Sequence, residues 1–129
     1  MVSRESKIHA VVSVVGLAVL AAGAALFDVS IWWHQATVIG AFYAVIFGGT
    51  HAYFVVRGGG GDVPLTARKR FLLVLGGLVV LLPLAVVAGE WTVGPIPIRP
   101  VLTAVILGVL VWYLIAEGRA GYRATMAET

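Results

Sequence analysis

The side chains able to do chemistry are few. His9 and His51 are the pair with the most scope, since two imidazoles can ligate haem or pass a proton. His9 lies near the start of the first apolar run, and His51 about six residues before Arg57, at the end of the second. If the two runs are antiparallel helices, both histidines sit in the same leaflet, about one helical turn apart in depth. His34 falls at the opposite surface and cannot join them. A histidine inside a membrane also serves as a hydrogen-bonding link between helices, because its ring nitrogens need partners in a dry site. Thr50, Ser13 and Thr103 are the polar side chains placed to supply them. The structural use is the more general one, so no cofactor is expected, and haem ligation by His9 and His51 is the lesser reading.

The charged residues are placed at ends. Asp28, Glu90 and Glu117 all flank apolar runs, and no Asp, Glu, Lys or Arg lies within one. Carriers and pumps need ionisable groups at membrane depth, so ion-coupled transport is disfavoured. Asp28 and Glu90 read as turn and cap residues rather than a catalytic pair. Arg57 and the run Arg68-Lys69-Arg70 form a basic cluster suited to anionic lipid headgroups or to nucleic-acid phosphates. The same charges are what membrane orientation alone requires. The intervening Gly58–Gly61 run lacks the Lys-Ser/Thr ending of a phosphate loop and follows no strand. There is no cysteine, which excludes thiol catalysis and thiolate metal sites. No nucleophile is spaced with a base, so no enzyme is expected.

The elements that carry these residues are membrane helices. Of 129 residues, 60% are hydrophobic and 12% charged, where soluble domains carry about 25% charged residues. The apolar runs predict an all-α integral membrane protein, a single transmembrane domain with spans over residues 8–27, 33–56, 71–88 and 101–116. A cleaved signal peptide competes for the first span, since Ala22-Gly23-Ala24 resembles a cleavage site, but that run is long for a signal core. Asp28 to Ile31 is expected to turn tightly, with Trp32 and Trp33 at the interface. The four glycines are expected to form a flexible linker, with Thr66 capping the third helix. Pro83 is expected to kink that helix, and Pro100 to sit in the first turn of the fourth. A short polar tail is expected after residue 116. Eight of the nine basic residues fall on one side and only Arg99 on the other. The termini and the glycine loop are therefore expected inside, with the spans arranged as two hairpins.

Small residues recur every fourth position along the second span: Ala36, Gly40, Ala44, Gly48 and Ala52. Such a row lets another helix backbone approach closely in lipid. Thr37, Ala41 and His51 share its side, and Ile39, Phe42, Ile46 and Tyr53 are expected to face lipid. The row can pack the chain's own bundle or hold copies together, so self-association or a larger membrane assembly is expected.

In length and span number the chain resembles the small multidrug exporters, a family that depends on a carboxylate inside its first span. The corresponding stretch here, AVVSVVGLAVLAA, offers only Ser13. A layout of four spans with little exposed mass and an Ala/Gly/Val/Arg-rich composition is similar to the small internal membrane proteins of haloarchaeal pleomorphic virus envelopes. That resemblance rests on layout and composition rather than on a motif. It implies a virion component lining the inside of a lipid envelope, with Arg57, Arg68, Lys69, Arg70, Arg119 and Arg123 facing the enclosed genome in weak contact. Three functions follow in order: a structural membrane protein with a basic inner face; an accessory subunit of a cellular transporter, respiratory or export complex; and a haem-binding membrane anchor.

Overall fold

A computed structural model of the chain describes residues 2–128. The elements run α1 (Arg4–Leu26), α2 (Trp32–Val56), α3 (Leu65–Val87), β1 (Thr92–Val93), β2 (Ile96–Pro97) and α4 (Ile98–Ala127). All four helices are long and apolar enough to cross a membrane. The chain divides into two compact units, Met1–Leu72 and Leu73–Thr129.

In the first unit α1 starts at Arg4, ahead of the span expected from residue 8. The cause is a cap: the Ser3 hydroxyl accepts the Ser6 amide at 3.1 Å and satisfies one of the free donors of the first turn. The turn after α1 forms as its residues suggest. Ser30 donates its amide at 3.0 Å and its hydroxyl at 2.6 Å to the Asp28 carboxylate, a side-chain substitute for a backbone turn.

The helices α1 and α2 then run antiparallel, and their contact differs from the expected one. A Cβ placed on Gly16 would lie 2.6 Å from the Cδ1 atom of Ile46 and 3.6 Å from the Phe42 ring. One placed on Gly23 would lie 2.6 Å from a methyl of Val38, and one on Gly49 2.6 Å from a methyl of Val12. Phe42 and Ile46 therefore face α1 rather than lipid. Bulk on α2 enters gaps left by Gly16 and Gly23 of α1, and Val12 of α1 enters the gap at Gly49 of α2. Of the small-residue row, Gly48 is buried and Ala44 half-buried, while Ala36, Gly40 and Ala52 are exposed. A step of four residues turns about 40° around a helix, so a row of this spacing drifts off any single face. The row therefore does not coincide with the face that meets α1, which carries Val38, Phe42, Ile46 and Gly49.

The glycine loop is shaped rather than slack. The amides of Gly58 and Gly59 bond back to the carbonyls of Val55 and Phe54, at 3.2 Å and 2.8 Å. This pair is the Schellman ending of a helix. Gly58, Gly59 and Gly60 have φ of +79°, +115° and +99°, which residues with a Cβ rarely adopt. Helix α3 begins at Leu65, with the Pro64 carbonyl accepting the Arg68 amide at 3.1 Å. Thr66 is thus inside the first turn and is not the cap.

In the second unit α3 continues through Pro83 to Val87. The proline-rich segment that follows is a short antiparallel hairpin pairing Thr92 with Pro97 and Val93 with Ile96, turned at Gly94 with φ +61°. Pro100 sits in the first turn of α4, where its missing amide proton leaves no bond unmade. Helix α4 runs on to Ala127, so the polar tail expected after residue 116 is helical through residue 127. Their Ala, Arg, Glu and Met content favours continuation.

Buried apolar side chains are few: Val38, Phe54, Val74 and Ala88 among the described residues. Val14 and Leu17 of α1, Tyr43 and Phe47 of α2, Val80 and Leu82 of α3, and Leu107 and Leu114 of α4 are all exposed.

Candidate functional site

An elaborate polar arrangement lies in the first unit, where the start of α1, the end of α2 and the start of α3 meet around Arg68. Arg68 has no exposed surface, an unusual state for a charged residue. Its Nη2 lies 2.9 Å from the Glu5 carboxylate, an ion pair whose alignment falls short of a hydrogen bond. Its Nε donates to the Val63 carbonyl at 3.3 Å, and its Nη1 lies 3.2 Å from Nδ1 of His51. The guanidinium carbon stands 4.4 Å from the centre of the fully buried Phe54 ring, a cation–π contact. Glu5 in turn accepts the Asp62 amide at 2.7 Å. Gly61 makes room for all of this, since a Cβ there would fall 2.4 Å from Nη2 of Arg68 and 3.0 Å from Glu5.

Beside this clasp is a cavity of about 390 Å³ lined by Glu5, Ser6, His9, Phe47, Thr50, His51 and Phe71. Nδ1 of His9 lies 3.2 Å from the Thr50 hydroxyl, and the His51 ring packs 4.6 Å from Phe71. Both histidines therefore line one space. Thr50 bonds to His9 and not to its neighbour His51. The other expected partners, Ser13 and Thr103, donate to the carbonyls of His9 and Arg99 on their own helices at 2.8 Å. Arg68 supplies the partner of His51 instead. Among the described residues, no three His, Asp or Glu side chains are grouped to hold a metal ion.

The basic cluster is split. Arg57 and Lys69 are exposed and Arg70 half-buried, but Arg68 is withdrawn from any headgroup or phosphate. The physical reason is the acid it meets: Glu5 neutralises it and Phe54 covers it. Arg57 leans over the Tyr53 ring at 5.6 Å, and Arg4 approaches the Tyr53 hydroxyl at 3.5 Å. Glu5 and Phe54 are the site residues that sequence reasoning missed. One signal for Glu5 was available, as an isolated acid among the cations Arg4 and Lys7 ahead of the first span.

At the opposite ends of the helices, the carboxylates have local uses. The Ser30 hydroxyl, followed by its amide, holds the Asp28 carboxyl below the usual range. In the second unit Arg99 pairs with Glu90 in an exposed contact. No protein-family model matches the chain, and no curated protein or solved structure is significantly similar to it.

Proposed function

We propose that this chain is a non-enzymatic structural protein of a lipid bilayer, such as a virion envelope, which packs against neighbours in the membrane and presents a basic inner face. The observation that carries this reading is the inside-out distribution of its apolar side chains. Four membrane-length helices expose most of their large hydrophobic residues, with a handful of apolar residues buried. Their burial comes from acyl chains and from other helices. The exposed small residues Ala36 and Gly40, one turn apart on α2, support close packing with a neighbouring helix. The positive-inside rule puts the termini and the Gly58–Asp62 loop inside. The inner face then carries Arg4, Lys7, Arg57, Lys69, Arg119 and Arg123, all exposed, while Arg68 works within the fold.

The test uses the lack of cysteine. Single cysteines at Asp62 and at Val93 are probed with a membrane-impermeant maleimide on sealed cells or particles. The Val93→Cys chain is expected to react at once, and the Asp62→Cys chain only after the membrane is opened. The reverse pattern overturns the orientation. Substrate-dependent flux in liposomes carrying the purified chain would overturn the structural role itself.

A further inference from the structure

We propose that His51 is a proton-controlled latch on the Gly58–Val63 loop, closed when its imidazole is neutral and released when it takes up a proton. A guanidinium has only N–H donors. At 3.2 Å from Nη1 of Arg68, Nδ1 of His51 must therefore accept, which requires a neutral ring with its proton on Nε2. A proton taken from the medium onto Nδ1 removes the lone pair that Arg68 uses. It also sets two cations side by side.

The rest of the clasp transmits that change. Arg68 is bonded to the loop at the Val63 carbonyl, and its ion-pair partner Glu5 is bonded to the loop at the Asp62 amide. One side chain therefore ties the end of α2, the start of α1 and the loop together. The titratable and charged groups facing His51 are Arg68 from α3 and Glu5 and His9 from α1. Protonated His51 is repelled by Arg68 and drawn to Glu5, so it competes with Arg68 for the carboxylate that anchors the loop. His9 bonds to Thr50 and has no bond to the loop. A proton reaches the ring through the cavity, whose lining includes the exposed Ser6 and His9.

The experiment places a spin label at Asp62→Cys in the full chain, in liposomes of zwitterionic lipid. The substitution keeps the backbone amide that binds Glu5 and removes a nearby carboxylate. Label mobility is followed from about pH 8 to about pH 5, the range in which imidazole exchanges its proton. The label is expected to be held at the upper end and to gain a mobile component, reversibly, at the lower end. With His51→Gln added, whose amide oxygen accepts from Arg68 at every pH, the label is expected to stay held throughout. With His9→Gln the step is expected to remain. A flat titration of the parent, a step that survives His51→Gln, or a step lost with His9→Gln overturns the latch. Nitrogen NMR of histidine-labelled chain gives a second readout that needs no substitution at His51. The Nε2–H tautomer is expected at pH 8, and an Nδ1–H tautomer overturns the proposal.

Discussion

Replacing Gly23 by alanine is expected to drive α1 and α2 apart, whereas the same replacement at Gly40 is expected to leave them in place. The new methyl at Gly23 would sit 2.6 Å, 2.8 Å and 3.2 Å from three carbon atoms of Val38. Carbon atoms rest at about 3.5–4.0 Å, so relief takes a shift of about 1 Å. Val38 is buried and β-branched, and cannot rotate out of the way cheaply. Overpacking of this kind costs about 1–3 kcal/mol. Alanine also favours the helix over glycine by up to about 1 kcal/mol, which offsets part of the loss. That offset is common to both sites, and no atom lies within 4 Å of a Cβ on Gly40. The difference between the two variants thus isolates the clash, and is expected to be about 1–3 kcal/mol. The measurement is reversible unfolding in mixed micelles, followed by helical circular dichroism and by emission of Trp32 and Trp33 at the start of α2. Adding Val38→Ala to Gly23→Ala should recover stability, since it removes the two methyls that are struck. Two alanine variants of equal stability, or a Val38→Ala effect that simply adds, would show that the helices do not meet in this register.

Three further outcomes are expected. Arg68→Met should destabilise the chain by about 3 kcal/mol, the lower end of the range for breaking a buried pair, because the Glu5 side chain is 20% exposed. A double-mutant cycle with Glu5→Gln should show clear coupling in the same micelles, and independent effects would mean that the pair does not hold the loop. Gly58→Ala should cost about 1–3 kcal/mol, because it is the left-handed residue of that ending with φ +79°, and an unchanged unfolding midpoint would dismiss the Schellman ending. Asp28 should make the turn before α2 acid-sensitive. Its carboxyl is held below the ordinary value by the Ser30 hydroxyl and amide, so the contribution is complete above about pH 4 and is lost as pH falls through the folded value. Stability measured between pH 5 and pH 2 should decline in the parent and decline less in Asp28→Asn, and parallel curves would remove Asp28 from the account.

The order of apolar and polar stretches was enough to find the four helices, the Asp28 turn and the place of Pro100. These depend on composition and on neighbours within a few residues, and such information lies along the chain. Helix ends were less legible. Ser3 moved the start of α1, and the helix-favouring tail carried α4 to Ala127. The face of α2 that meets α1 was read from its small residues. The structure instead puts Phe42 and Ile46 there, because the gaps they fill belong to Gly16 and to neighbouring atoms of another helix. The candidate site depended most on tertiary structure. His9 and His51 stood out as residue types, but their partners are Thr50 and Arg68. Arg68 had every sequence mark of a surface cation, yet Glu5, Phe54 and Gly61 enclose it. Residues 5 and 68 share no local pattern. Only the return of α2 beside α1, and a loop whose three positive φ angles bring α3 back, places a carboxylate where a buried guanidinium needs one. A charge can be withdrawn from water only where such a partner is already in place, and that is a property of the folded chain.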